Sequence, residues 1–316
     1  GAAWWGDRVE PARLNAEQGD LDYLCFETMA EATVSAAQVR ARRDASFEGY
    51  DTYLDDRMRA VLPGCLKNGT KIISNQGWIN PDAAAKRVVH WLREFGARGV
   101  KVAAVNGSLI TDRALQLTDR ILENGLPTST LAPNLISAEA YLGAEPIVQA
   151  LREGAQIVIT GRVADPSIFM APMAYEFGWD PLDHTRLGAG NGLGHLLECG
   201  AQVTGGYFSD PGFKDVPQPW NFGFPIAEVQ ADGSAVLDDR GNIRHAASQI
   251  FGELFQLGDR SLGLARLPFE TMLDMILDQL LLGIRDRRLY SVELLGEVET
   301  GLARFDHGDD GPKVAF

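Results

Sequence analysis

The chain alternates short apolar runs with longer segments of helical spacing. The apolar runs predict four strands, at residues 20–27, 70–74, 100–105 and 155–160. Helical segments are predicted at residues 28–43, 57–66, 82–95, 111–123 and 137–154. Parallel strands need crossovers of this length, whereas hairpins need only short turns. We therefore predict an α/β fold with a mainly parallel sheet and helices on both faces, and a kink or a break at Pro146 in the last of these helices.

The pattern changes towards the C-terminus. Residues 222–236 carry shorter apolar runs and predict an antiparallel element. Residues 269–284 have apolar side chains at three- and four-residue spacing, which is typical of an amphipathic helix in a core or a subunit interface. We expect a homo-oligomer. We divide the chain into an α/β domain at residues 1–235 and a smaller C-terminal portion, α+β or mostly helical, at residues 236–316.

Composition narrows the class of protein. Of the 316 residues, 45% are hydrophobic and 23% are charged, as in soluble globular proteins. No apolar run approaches the ~20 residues of a membrane span, and no signal-peptide pattern is present, so we expect a cytoplasmic protein with no membrane partner. The formal net charge of -14 argues against a nucleic-acid partner, because such proteins need a basic surface. The cysteines show no Cys-x-x-Cys spacing, and nothing in the sequence specifies a metal.

Polar side chains follow each predicted strand. They are Glu27, Asn75, Gln76, Asn106, Arg162 and Asp165. Ligands of open parallel sheets and of barrels bind at the carboxyl ends of the strands, so we expect these side chains to share one cleft that holds a small-molecule substrate. Turn formation or helix capping explains any single one of them about equally well.

Residues 188–215 carry several candidate catalytic and substrate-binding residues close together in the sequence. His195 and Cys199 are four residues apart and can share one face of a helix. A packed His and Cys explain this spacing about twice as well as a catalytic pair, because no orienting group or further metal ligand is specified. Further candidate substrate contacts are Gly205, Gly206 and Lys214.

The glycines of residues 188–196 are a weak dinucleotide signal, since no strand precedes them and no acid follows at about 20 residues. The free N–H groups of a helix N-terminus at this place would suit a phosphate of coenzyme A.

Seven ordered motifs extend over about the first three quarters of the chain. They are WGDR at 5–8, GDLDYL at 19–24, SNQGWINP at 74–81, TGRVADP at 160–166, EFGW at 176–179, HLLECGAQVTGGYF at 195–208 and FPIAEV at 224–229. Together they resemble the acyclic terpene utilisation (AtuA-like) family. The resemblance implies a pathway that degrades acyclic terpenes and branched acids as coenzyme A thioesters, with coenzyme A as part of the substrate. It leaves the cofactor and the reaction open.

A lyase or hydratase acting on a branched acyl-CoA or a related hydroxy acid is the first of three hypotheses. Removal of a proton next to a carbonyl needs a general base and a stabiliser of enolate charge. Glu27 or Asp165 would be the base. Arg162 and the amides of Asn75 and Asn106 would stabilise the charge.

The second hypothesis is a Cys-His acyl transferase or thioesterase, with Cys199 as nucleophile, His195 as base and Glu198 or Asp165 orienting the histidine. The third is a non-catalytic metabolite-binding subunit. The chain has no Gly-x-Ser-x-Gly elbow, and Cys199 falls within a predicted helix, so the first hypothesis is favoured over the second.

Overall fold

The structure is a computed structural model that describes residues 6–117, 120–121, 124–202, 210, 212–213, 215 and 219–238, and the backbone of residues 291–297. The first elements are α1 (Glu10–Gln18), β1 (Tyr23–Phe26), α2 (Glu31–Arg43), α3 (Leu54–Asn68), β2 (Lys71–Ser74), α4 (Pro81–Glu94), β3 (Lys101–Asn106) and α5 (Thr111–Ala114). The others are α6 (Glu145–Arg152), β4 (Ile157–Thr160), α7 (Ser167–Phe177), α8 (His184–Glu198), β5 (Ile226–Val229), β6 (Ala235–Asp238) and β7 (Ser291–Glu297).

The main sheet has the strand order β1-β2-β4-β3-β7. The first four strands in this order pair in parallel, with Phe26 opposite Ser74 and Val105 opposite Thr160. Helical crossovers connect them, so the predicted α/β class is confirmed. β7 pairs antiparallel with β3, although its residues belong to the predicted C-terminal portion. The boundary at residue 235 stays a prediction, and the helix predicted at residues 269–284 lies outside the described residues.

Two apolar cores lie on opposite faces of the sheet. Side chains of a strand alternate between its faces, so Ile72 joins the core under α1, α3 and α4, while Ile73 joins the core under α6, α7 and α8. Cys25 belongs to the second core. Glu27 is two residues further along and therefore points towards the same face, above that core.

Several element boundaries differ from those predicted. The helix predicted at residues 137–154 is wrong, because only α6 is helical there. Of the kink or break predicted at Pro146, the structure has the break, because α6 begins at Glu145. Pro146 does not kink the helix. It lies in the first turn, where the missing N–H of proline costs no helical hydrogen bond. Of the helix predicted at residues 111–123, the described part contains α5 alone. The antiparallel element predicted at residues 222–236 is confirmed, since β5 and β6 form a hairpin.

Candidate functional site

The loops after β1, β2 and β4 meet at the carboxyl edge of the sheet. The Thr28 N–H donates to Asn75 Oδ1 at 2.7 Å, which ties the first loop to the second. The Arg162 guanidinium donates to the Met29 carbonyl, which ties the third loop to the first. The polar side chains predicted to follow these three strands therefore come together, as the parallel pattern requires.

Close backbone approach fixes the loop after β2 against the end of β4. A Cβ on Gly77 would lie 2.5 Å from the Thr160 carbonyl oxygen, and one on Gly161 would lie 2.9 Å from the Trp78 carbonyl oxygen. Trp78 itself has a φ of 43°, which is unusual for a bulky residue, and its indole N–H donates to Thr28 Oγ1 at 3.3 Å. Such a strained, well-anchored loop is typical of a functional site.

Glu27 is a buried carboxyl group in this cluster, with 4% of its surface exposed. Its Oε1 accepts from Asn75 Nδ2 at 2.7 Å and from the Met29 N–H at 3.0 Å. Its Oε2 makes no hydrogen bond to any residue that the structure describes. Burial, and then the negative charge of Asp165, raise the pKa of Glu27 to about 7 against the effect of these hydrogen bonds. The group can therefore exchange a proton near neutral pH.

Arg162 is fully buried, and its guanidinium lies between two carboxylates and an aromatic ring. Its Nη1 lies 2.8 Å from Asp165 Oδ1, its Nη2 lies 3.1 Å from Glu31 Oε1, and its guanidinium carbon lies 4.0 Å from the centre of the Tyr141 ring. The contact with Asp165 is an ion pair without hydrogen-bond alignment, since Oδ1 lacks a hydrogen-bond partner among the described residues. Burial raises the pKa of Asp165, and the Arg162 charge opposes that rise.

The end of α8 brings His195, Glu198 and Cys199 towards the same cluster. His195 Nδ1 lies 2.8 Å from Glu198 Oε1, and this hydrogen bond raises the pKa of the imidazole. Burial, then the charges of Glu198, Glu27 and Asp165, raise the pKa of Cys199 to about 11. The hydrogen bonds of the described residues include none between His195 and the thiol. His195 is thus paired with an acid, and Cys199 stays protonated.

The glycines at residues 188–194 lie inside α8 and do not precede it. The helix begins at His184, and Asp183 caps it by accepting from the Arg186 N–H at 3.1 Å. The phosphate contact predicted at residues 188–196 is therefore wrong, because the backbone N–H groups of a helix interior are bonded within the helix.

We expect Gly194→Ala to destabilise the protein and Gly192→Ala to leave it unchanged or slightly more stable. A Cβ on Gly194 would lie 2.6 Å from Pro166 Cβ, so α8 would have to shift, at a cost of about 1–3 kcal/mol. A Cβ on Gly192 meets nothing within 4 Å, and alanine favours the helix by about 0.5–1 kcal/mol. Urea denaturation measures both free energies of unfolding, and equal effects would contradict this packing.

Gln76 and Asn106 lie at the strand ends, but their amides bind other protein groups. Gln76 Nε2 donates to Asp51 Oδ2 at 3.0 Å, and Gln76 Oε1 accepts from Ser74 Oγ at 3.1 Å. Asn106 Nδ2 donates to Asp82 Oδ1 at 2.8 Å, at the start of α4. Their role as substrate contacts stays a prediction. Three other predicted contacts lie outside the described residues, namely Gly205, Gly206 and Lys214.

Three residues at this edge are not identified by the sequence pattern, namely Asp51, Arg57 and Tyr141. Asp51 and Arg57 form a fully buried ion pair at 2.7 Å, and the charge of Glu27 acts on Arg57. Glu31 and Tyr141 contact Arg162, as described above. The polar loop before α3 carries no motif that marks Asp51, and Tyr141 falls within the wrongly predicted helix at residues 137–154.

A cavity of about 630 Å³ lies beside β1, between α7 and β5. Phe169, Met173 and Leu197 line it, whereas Glu27 and Arg162 do not. It is therefore not the site described above. Over the described ranges, no group of three or more His, Cys, Asp or Glu side chains could hold a metal ion. No helix in those ranges is long and apolar enough to cross a membrane.

Comparison with known proteins gives one match. Residues 1–243 match the family model described as acyclic terpene utilisation family protein AtuA. The match includes the four parallel strands and every candidate site residue. No curated protein and no solved structure matches the chain at a significant level.

Proposed function

The chain belongs to the acyclic terpene utilisation family AtuA, and on that premise we propose that it is a metabolic enzyme of the lyase or hydratase type. Its substrate is a branched or terpenoid acyl-CoA, with coenzyme A as part of the substrate, or a related hydroxy acid. The observation that carries the proposal is Glu27. It is a buried carboxyl group with a pKa raised to about 7, one fixed oxygen and one oxygen that no described residue binds.

The geometry supports a hydration or dehydration in which each group has one task. Glu27 Oε2 takes the proton from the carbon next to the carbonyl, which leaves enolate charge on the carbonyl oxygen. Arg162 stabilises that charge in a buried site where electrostatic effects are strong. His195, whose pKa the hydrogen bond with Glu198 raises, donates a proton to the leaving hydroxyl group, which departs as water. The reverse sequence adds water to the double bond.

Deuterium exchange tests this proposal even while the physiological substrate is unidentified. The protein is incubated in D₂O with branched 3-hydroxyacyl-CoA and enoyl-CoA thioesters and with branched hydroxy acids, and mass spectrometry follows deuterium uptake and water loss. We expect exchange with at least one compound, abolished by Glu27→Gln. Binding of a compound in a thermal-shift assay without exchange would instead favour a non-catalytic metabolite-binding subunit.

The acyl-transfer alternative predicts a reactive thiol, whereas we expect Cys199 to label slowly. With a pKa of about 11, only roughly one thiol in a few thousand is ionised at pH 7.5, compared with about one in ten for a free cysteine. Iodoacetamide labelling of the native protein, followed by mass spectrometry, measures the rate, and labelling in urea is the control. Fast native labelling together with loss of turnover in Cys199→Ala would favour the acyl transferase or thioesterase hypothesis over the lyase or hydratase hypothesis.

A further inference from the structure

Glu31 is an exposed residue that reaches back onto a buried cation. It is the first residue of α2, and 70% of its side-chain surface is exposed. Its Oε1 lies 3.1 Å from Nη2 of the fully buried Arg162 and also accepts from the Tyr141 hydroxyl. The backbone N–H of Glu31 itself, at the start of α2, also donates to the Glu31 carboxylate. Three kinds of donor thus converge on one carboxylate.

This arrangement has the properties of a carboxylate-binding site. A guanidinium binds a planar carboxylate well, and a helix N-terminus adds backbone N–H groups. Arg162 can donate a further hydrogen bond, since its buried Nε has no hydrogen-bond partner among the described residues. The Tyr141 ring covers one face of the guanidinium at 4.0 Å, so an anion cannot approach from that face.

The Glu31 side chain can also move away from Arg162. This side chain is long and mostly exposed, and holding such a side chain in one geometry costs conformational entropy. Arg162 keeps Asp165 at 2.8 Å in either case. An incoming carboxylate that replaces Glu31 would leave the number of charges around the buried guanidinium unchanged, which avoids the cost of an uncompensated buried charge.

We propose that Glu31 occupies the binding site for a carboxylate group of the substrate, and that this carboxylate displaces Glu31 from Arg162 and Tyr141. The inference rests on the proposed function and narrows it, because it selects the branched hydroxy acid over a simple acyl thioester. In such an acid the carboxylate adjoins the reacting carbon. The contact with Arg162 then both binds the substrate and stabilises the charge that develops on it.

The test is calorimetric titration with 3-methylbutanoate, a small branched carboxylate. Glu31→Gln removes the competing charge and retains an oxygen for Tyr141, so the affinity should rise about tenfold if Glu31 holds the site about nine tenths of the time. Glu31→Ala removes the competitor altogether and should bind at least as tightly. Tyr141→Phe keeps the ring over Arg162 but loses the hydroxyl donor, and it should bind more weakly than the wild type.

The controls separate a carboxylate site from a general charge effect. Glu145→Gln makes the same change at the first residue of another helix, α6, and should bind like the wild type. The neutral 3-methylbutanamide should not bind. Unchanged or weaker binding by both Glu31 variants, equal binding of the amide, or stronger binding of inorganic phosphate would each overturn the proposal. Because the assay measures binding alone, its outcome is independent of whether Glu27→Gln abolishes exchange.

Discussion

Replacing Glu27 with glutamine is expected to lower kcat/KM by about 10²–10⁴-fold and to leave the fold intact. The magnitude is that of a lost general base. Glutamine has nearly the same shape, and its oxygen can still accept from Asn75 Nδ2 and the Met29 N–H. The variant therefore removes proton transfer without removing the packing. Circular dichroism and urea denaturation check the fold, and steady-state kinetics on the compound that shows exchange measures the loss.

Glu145→Gln is a matched control, since it removes a carboxylate from the first turn of α6, away from the contacts of Glu27. It should retain full activity. In the wild type, kcat/KM should rise as the pH rises through about 7, because the base must be ionised. A Glu27→Gln variant with wild-type turnover would show that Glu27 is not the general base.

The same raised pKa has a consequence for stability. The folded-state pKa of Glu27 is above the ordinary value of 4.5. The contribution of the protonated Glu27 to the free energy of unfolding is therefore fully present below pH 4.5 and is lost as the pH rises through about 7. The difference corresponds to about 3 kcal/mol. The advantage of Glu27→Gln in free energy of unfolding should therefore grow between pH 5 and pH 8, which denaturation at both pH values measures.

Arg57→Met is expected to destabilise the protein by about 3–5 kcal/mol. The Arg57–Asp51 pair lies at 2.7 Å, with side-chain exposures of 2% and 0%. Burial acts on both groups, lowering the pKa of Arg57 and raising that of Asp51. Loss of the cation leaves a buried carboxylate without its counter-charge, and an uncompensated buried charge strongly lowers the free energy of unfolding.

A double variant, Asp51→Asn with Arg57→Met, should recover part of this loss, because it removes both charges. Arg59→Met is the matched control on the same helix. Arg59 is exposed and stacks on Trp91 at 5.2 Å, so its loss should cost less than about 1 kcal/mol. Equal effects of the two arginine substitutions in urea denaturation would contradict a structural role for the buried pair.

Part of the site follows from the sequence for a simple physical reason. Parallel strands end at one edge of a sheet, so a polar residue after each strand must come near the others. The strand pattern alone therefore places Glu27, Asn75, Arg162 and Asp165 at this edge. It does not fix the direction of each side chain, and Gln76 accordingly binds Asp51, a residue that the strand pattern does not mark.

The residues that the pattern does not mark reach the site by tertiary contacts that no local signal encodes. The sequence places Glu31 one helical turn after Glu27, but it does not predict the contact of Glu31 with Arg162. Tyr141 lies in an irregular segment whose apolar spacing imitates a helix. The prediction of a helix N-terminus at residues 188–196 failed for a related reason. Glycine usually interrupts helices, but at Gly194 it permits close packing against Pro166.

The protonation of Glu27 is the central claim, and ¹³C NMR tests it most directly. Protein labelled at the glutamate side-chain carboxyl carbon is titrated from pH 4 to pH 9, and the Glu27 signal is assigned by its absence from Glu27→Gln. We predict a midpoint near pH 7, the value set by burial and by the charge of Asp165. A midpoint at or below the ordinary 4.5 would show that Glu27 is ionised at neutral pH without a raised pKa, and it would contradict the account.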